Sequence, residues 1–294
     1  MLMVLNIYMD NIIYIKKINC YSKKKMTNII RSNFQDHPFH LVSPSPWPLY
    51  TSVCLFNLTT TAALSLHNFN NAYYLFYISL ILVVSSMCFW FRDIISEGTY
   101  LGDHTSAVQR GLNLGIFLFI VSEALLFLAI FWAFYHSALG PNIELGAQWP
   151  PMGIESVNPF ELPLLNTIIL LSSGATITYG HHSLIHGGRK GALYGSIFTL
   201  LLAIIFTCFQ GVEYSVTSFT ISDSIFGSSF YFSTGFHGLH VIVGTIFLAV
   251  GFWRIYSYHL TDHHHLGFEG GILYWHFVDV VWLFLYISVY YWGA

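Results

Sequence analysis

The chain has 294 residues, of which 55% are hydrophobic and only 9% charged, and its mean hydropathy of +0.60 predicts a polytopic membrane protein rather than a soluble enzyme. The formal net charge is only −3, and no basic cluster is interleaved with aromatic residues in the body of the chain, so nucleic-acid binding has no support. Four cysteines without CxxC or CxxxC spacing favour neither disulfides nor a metal-thiolate site.

The N-terminal 25 residues differ in composition from everything that follows. They are rich in Ile, Asn, Tyr and Lys, and they contain no Arg and no small-residue cleavage site, so neither a secretory signal nor a transit peptide fits. We expect Met26 to be the true start and residues 1–25 to be an N-terminal extension outside the fold. Residues 26–47 are expected to form a surface segment, because the prolines at 38, 44, 46 and 48 oppose a helix.

Seven apolar runs are long enough to cross a bilayer as helices. The fold class is therefore all-α, with spans one and two in residues 48–100 and spans three to seven in residues 101–294. The runs cover about 48–67, 72–91, 106–137, 162–180, 191–214, 228–256 and 270–292.

Basic residues lie only in the N-terminal segment and in every second connector, namely those between spans two and three, four and five, and six and seven. The positive-inside rule therefore predicts an N-terminus on the inner side and a C-terminus on the outer side. The opposite connectors are expected to carry acids alone: Glu144, Glu155, Glu161, Glu213 and Asp223.

The longest apolar run, from Ser106 to Ser137, holds the carboxylate of Glu123 at its middle. An ionised carboxylate at a helix centre costs roughly 2.5 to 3.5 kcal/mol on insertion scales, so it is expected to face protein or a cavity. Two interpretations stay open, a satisfied interhelical hydrogen bond and a proton-handling or ligand site. Small residues on this span are expected to admit a neighbouring helix closely: Gly111, Gly115, Ser122, Ala129 and Ala133.

The expected partner of Glu123 is the turn from His237 to His240 in span six. Gly235 and Gly238 next to that turn are expected to permit close approach of another helix.

Fifteen histidines raise the alternative of a membrane di-iron hydroxylase, which needs clustered imidazoles on several loops. Of the candidate boxes, HLTDHHH at 259–265 fits, HHSLIH at 181–186 is reversed, and HGLH at 237–240 lacks an adjacent histidine. A haem-copper centre has less support, because the remaining intramembrane histidines are too dispersed to form one coordination shell. These are His136, His237, His240 and His276.

Several long motifs occur in a consistent order between about Met26 and Ala294: HPFHLVSPSPWPL, RDIISEGTYLGDHT, SEALLFLAIFWAFYHSALGP, GFHGLHVIVGTIFL and YWHFVDVVWLFLYISVYYWG. In these motifs the chain resembles the mitochondrially encoded subunit III family of cytochrome c oxidases. Residues 1–25 lie outside the family pattern.

The resemblance implies a two-plus-five helix bundle with a V-shaped lipid cleft, packed beside subunit I and other oxidase subunits. It implies no catalytic residue, metal or other redox cofactor in this chain, since haem and copper belong to partner subunits. The expected role is to support assembly, stability and proton uptake of the oxidase that reduces oxygen to water with electrons from cytochrome c. The expected location is the mitochondrial inner membrane, with the N-terminus in the matrix and the C-terminus in the intermembrane space.

The resemblance also assigns sites. The buried carboxyl of the family falls on Glu123. Arg and Trp at a membrane boundary suit phosphate and glycerol contacts, although simple interfacial anchoring is an alternative for Trp90. The positions implied for phospholipid headgroups are Trp90, Arg92, Glu97, His104, Arg254 and His264.

Overall fold

The computed structural model describes residues 37–143 and 146–293. They belong to two compact units, residues 1–108 and residues 109–294. The expected N-terminal extension and most of the expected surface segment lie outside the described residues. The described part of that segment, residues 37–46, has no regular secondary structure, as its prolines predict.

The described residues form helices and no strands, and seven helical segments are long and apolar enough to cross a membrane. The predicted all-α fold with seven spans is confirmed. Two helices continue into π-helical turns, Glu97–Leu101 after α2 and Tyr286–Trp292 after α7, which the sequence did not predict. The helices are α1 Trp47–Leu66, α2 Ala72–Ser96, α3 Ser106–Leu139, α4 Leu162–Ile185, α5 Arg189–Val216, α6 Ser224–Tyr256 and α7 Leu266–Leu285.

In the first unit, α1 and α2 form an antiparallel pair that polar side chains join at two places. The hydroxyls of Thr61 and Ser79 lie 2.8 Å apart, and the indole of Trp47 donates a 2.5 Å hydrogen bond to Asp93. Pro48 occupies the first turn of α1, where a helix has no use for the missing N–H. The two helices therefore rely on hydrogen bonds as well as apolar packing, as helices within a membrane commonly do.

In the second unit, polar side chains of α4 accept hydrogen bonds from buried indoles of α7. Trp275 donates to Ser173 and Trp282 donates to Thr167, each over 2.9 Å. The polar side chains of α4 are thus used in contacts with another helix, as is common for helices within a membrane.

Helices α4 and α5 approach so closely that glycine is required. A Cβ built on Gly195 would lie 2.6 Å from the Cα of Gly180, which is nearer than any real side chain comes. The hydroxyls of Thr176 and Thr199 meet at 2.8 Å beside this crossing. Tight backbone contact and a hydrogen bond together join these two helices.

Among the described residues of this chain, no helix packs closely against the small residues of α3. A Cβ on Gly111 or Gly115 would meet nothing within 4 Å, and Ser122, Ala129 and Ala133 are exposed. The interface of α3 uses large side chains instead, which fill a wider gap between backbones. Its buried residues are Phe127, Ile130, Phe134 and Ala138.

One acid assigned to an outer connector lies elsewhere. Glu213 belongs to α5, is buried, and accepts a hydrogen bond from the hydroxyl of Tyr290. The sequence count placed it outside because it falls at the very end of the predicted apolar run, whereas α5 continues to Val216. The hydroxyl of Tyr290 supplies the hydrogen bond that this carboxyl group would lack in a hydrocarbon environment.

Candidate functional site

Glu123 of α3 and His240 of α6 meet inside the second unit. The Oε2 atom of Glu123 lies 3.0 Å from Nε2 of His240. The side chain of His240 is 6% exposed and that of Glu123 is 21% exposed, so the acid is reachable from outside this chain whereas the imidazole is enclosed. The structure thus places Glu123 against one of the two histidines expected as its partner.

The other nitrogen of His240 determines the chemistry of this pair. Nδ1 lies 2.7 Å from the carbonyl oxygen of Phe236, and a carbonyl only accepts, so Nδ1 carries a proton and donates it. Nε2 then either accepts from a protonated Glu123 or, as part of an imidazolium, donates to the carboxylate. In both cases the contact holds one proton between acid and imidazole.

Aromatic rings surround the imidazole of His240. The ring of Phe127 meets it edge to face with centroids 4.9 Å apart, and the ring of Tyr274 stacks on it at 6.2 Å. These rings shield the hydrogen bond from competing polar groups, and a hydrogen bond in such low-dielectric surroundings is electrostatically stronger than one in water.

Two details near this pair differ from expectation. A Cβ on Gly235 or Gly238 would meet nothing within 4 Å, so these glycines do not mediate close helix approach. Gly244 does so, because its Cβ would lie 3.0 Å from the indole of Trp275. The second expected partner, His237, is also engaged elsewhere, since its Nε2 donates to the carbonyl of Val278 over 3.2 Å.

Four of the residues assigned to lipid headgroups lie in the first unit, at the end of α2 and just after it. Arg92 is largely exposed, pairs with Asp93 over 2.9 Å, and lies over the ring of Phe89. Trp90 and Glu97 are partly buried. His104 packs so tightly on Gly98 that a Cβ there would come within 2.8 Å of its ring.

The other two residues assigned to lipid, Arg254 and His264, lie in the second unit at the connector between α6 and α7. Burial lowers the pKa of His264, and the charge of Arg254 lowers it further. Burial and then Arg254 likewise lower the pKa of His259 in the same connector. This end of the bundle therefore combines one permanent cation with imidazoles that favour the neutral form.

The histidine-rich connectors come together without forming a metal site. The rings of His181 and His265 lie 5.4 Å apart between centroids, and His182 is adjacent at 6.1 Å from His181. Within residues 37–143 and 146–293, no three His, Cys, Asp or Glu side chains are placed to hold one metal ion.

Comparison with known proteins assigns this chain to a protein family. Residues 37–294 match the family model described as cytochrome c oxidase subunit III. The chain belongs to the cytochrome c oxidase subunit III family. It is 81% identical over 269 residues to cytochrome c oxidase subunit 3 of Podospora anserina, 82% identical over 269 residues to that of Neurospora crassa, and 58% identical over 267 residues to that of Yarrowia lipolytica. The first two alignments each cover 92% of this chain and 100% of the relative, and the third covers 91% and 100%.

Membership of the subunit III family confirms the predicted assignment to the oxidase, a proton-translocating oxidoreductase complex. The alternative of a di-iron hydroxylase finds no support in these matches. It rested on the loop histidines alone.

Sequence reasoning missed other ionisable residues of this subunit III chain. Asp279, inside the apolar run of predicted span seven, is buried and lies near His276. It carries the same signal that drew attention to Glu123, namely an acid at the middle of an apolar run. Asp93 was also overlooked, although it pairs with Arg92 and accepts from Trp47.

Proposed function

We propose that this chain is a non-redox subunit of a mitochondrial cytochrome c oxidase and supports the assembly, stability and proton uptake of that complex. The observation that carries the proposal is the contact between Glu123 and His240. It joins α3 to α6 near the middle of the membrane through an acid and a base that satisfy each other. Such a pair stabilises a bundle and holds a proton without needing a metal.

The contacts of the other intramembrane histidines agree with a non-redox role. His237 donates to a backbone carbonyl of α7, and His276 lies 3.2 Å from the hydroxyl of Thr178. Each imidazole is used separately to join two helices, whereas a coordination shell requires several of them around one centre. In this proposal haem and copper belong to partner subunits, above all to subunit I.

The proposed location is the mitochondrial inner membrane, with the N-terminus in the matrix and the C-terminus in the intermembrane space. The distribution of basic residues supports this orientation, because the arginines of the described residues lie near the helix ends that adjoin every second connector. These are Arg92, Arg110, Arg189 and Arg254.

Phospholipids are the second class of proposed partner. In the second unit Arg254, with His264 nearby, offers a cation at the end of a span, where an anionic headgroup is attracted. In the first unit Arg92 offers another, with Trp90 two residues before it and Glu97 and His104 following in the chain.

The role of Glu123 is tested with two substitutions in the assembled oxidase. Glu123→Gln keeps a donor for Nε2 of His240, so we expect normal oxidase content and little change in electron transfer. Glu123→Ala leaves that nitrogen without its partner and should cost about 1 to 3 kcal/mol of local stability. Ser122→Ala, at the exposed neighbouring position, is the matched control and should behave like the unchanged chain.

Haem absorbance of purified oxidase measures assembly, and proton uptake on pulsed turnover measures the transport role. If Glu123→Gln slows uptake severalfold with assembly intact, the acid titrates in turnover and the purely hydrogen-bonding role is wrong. If the chain is absent from purified oxidase altogether, the proposed function itself fails.

Lipid binding is tested by phosphorus analysis of the purified complex. Arg254→Ala should lose co-purifying phospholipid, whereas Lys190→Ala, which removes an exposed cation of another connector, should not. Equal phospholipid content in the two variants would contradict this site.

A further inference from the structure

The middle of α7 presents a second acid and imidazole pair, and this one faces outward. Nδ1 of His276 lies 3.8 Å from Oδ2 of Asp279, and the side chains are 42% and 8% exposed. The helix with its π-helical extension runs from Leu266 to Trp292, so the pair lies near the centre of the span. An imidazole that is almost half exposed at this depth is unusual, because ionisable groups within a membrane normally face protein or water.

In the part of the chain that the structure describes, hydrogen bonds engage one edge of this imidazole. The hydroxyl of Thr178 donates to the carbonyl of Gly174 over 2.8 Å, so its oxygen is left to accept from Nε2 of His276 at 3.2 Å. On the other edge, 3.8 Å to Asp279 is too long for a direct hydrogen bond. Nδ1 therefore lies near Asp279 but, among the described residues, has no hydrogen-bond partner at normal distance.

The acid behind the imidazole is held in place by α4. Gly174 has no side chain at the point where Asp279 packs, and a Cβ there would lie 2.5 Å from Oδ2. Oδ1 of Asp279 is buried and, among the described residues, has no hydrogen-bond partner. Because Gly174 lacks a side chain, the carboxyl group of Asp279 can pack against α4 and lie behind the partly exposed imidazole. A buried acid near the middle of a membrane span otherwise carries a high free-energy cost.

The residues around His276 on the same face are apolar. Leu273 and Val280, one turn before and one turn after it, are both exposed. Between Leu273 and Val280 this exposed strip of α7 is apolar apart from His276, a pattern that a membrane helix with one hydrogen-bonding side chain complements. The exposed acid Glu269 lies two turns away, in the first turn of the helix. Glu123 differs, because its partly exposed carboxyl group already has Nε2 of His240 at 3.0 Å.

We propose that the face of α7 centred on His276 is a contact surface for a transmembrane helix of another oxidase subunit, which places a hydrogen-bonding side chain against the imidazole. The inference rests on the proposed function, since an oxidase supplies such partner helices. Lipid chains offer no hydrogen bond, and lipid headgroups lie about 15 Å from the bilayer centre, half the thickness of the hydrocarbon core.

The test uses the assembled complex and variants of His276. His276→Leu should reduce retention of this chain in oxidase purified in mild detergent by about threefold to tenfold, the ratio expected for one interhelical hydrogen bond. His276→Asn keeps a polar group and should recover most of that retention. Thr207 of α5 is exposed and its hydroxyl donates within its own helix, so Thr207→Leu serves as the matched control, with retention unchanged.

The amount of chain in the membrane before solubilisation separates lost contact from lost folding, and it should be equal in all variants. A structure of the assembled oxidase then identifies the neighbour, and we expect a polar side-chain atom of another subunit within hydrogen-bond distance of His276. Acyl chains alone at this position, or a second copy of this chain, would overturn the inference while leaving the proposed function intact. A chain missing from the oxidase would instead overturn the function.

Discussion

The hydroxyl of Tyr290 donates a 2.5 Å hydrogen bond to Oε1 of Glu213, and both side chains are buried. The bond ties the π-helical end of α7 to the last turns of α5. We expect Tyr290→Phe to destabilise the bundle by about 1 to 3 kcal/mol, because a buried carboxyl loses its donor. The free energy of unfolding in detergent measures this loss.

The adjacent tyrosine provides the control for that measurement. Tyr291 is exposed, so Tyr291→Phe should change stability by no more than about 0.5 kcal/mol. If the two substitutions had equal effects, the hydrogen bond to Glu213 would make no contribution of its own to the free energy of unfolding.

The crossing of α4 and α5 predicts a strong effect for the smallest possible substitution. In Gly195→Ala the new methyl group would lie 2.6 Å from Cα of Gly180 and 2.8 Å from the carbonyl oxygen of Thr176, both backbone atoms that cannot rotate away. The helices must separate, and overpacking of this kind costs about 1 to 3 kcal/mol.

Gly211, also in α5, is the matched control, because a Cβ there meets nothing within 4 Å. Gly211→Ala should be neutral or stabilise the helix by up to about 1 kcal/mol. Thermal unfolding of both variants in the same detergent checks the contrast. If Gly195→Ala did not lower stability, the crossing would be able to accommodate a methyl group.

The number and order of the spans could be predicted from sequence because each apolar run is about long enough to cross the bilayer as a helix, and basic residues mark every second connector between the runs. The side of each helix that packs inward could not be predicted. A membrane helix is apolar all round, so its pattern does not mark the buried face. For this reason Gly111 and Gly115 were assigned to a contact that Phe127 and Phe134 make instead.

The partner of Glu123 could be anticipated because the cost of a mid-membrane carboxyl requires a nearby polar group, and few were available. The same argument applies to Asp279, which sequence reasoning did not single out. Glu213 was assigned to the surface because its position near a helix end is compatible with either environment. Only the approach of Tyr290, distant in sequence, decides that it is buried.

The indole of Trp275 and the hydroxyl of Ser173 offer a way to measure one interhelical hydrogen bond. Trp275→Phe and Ser173→Ala each remove the 2.9 Å contact, and a double-mutant cycle isolates its energy. We expect a coupling of about 0.6 to 2 kcal/mol, the range found for hydrogen bonds between membrane helices. Unfolding in detergent of the two single variants and the double variant gives the value, and strict additivity would exclude a net contribution from the bond.

The connector between α6 and α7 should loosen in acid because of His264. Burial, Arg254 and His265 all lower the pKa of this imidazole, so the folded connector binds fewer protons than the unfolded one. The stability it contributes is present above the ordinary histidine pKa of about 6.5 and is lost as the pH falls below it. Amide hydrogen exchange across residues 257–265, corrected for intrinsic rates, should therefore show less protection at lower pH.

Two substitutions isolate the contribution of His264 to this pH response. In His264→Asn the loss of protection in acid should become smaller, although His259, whose pKa is also lowered, keeps part of it. His263→Asn changes an imidazole that is 93% exposed and should leave the response as it was. If both variants lost protection in acid as the unchanged chain does, His264 would not contribute to the pH dependence, which would then arise from other groups.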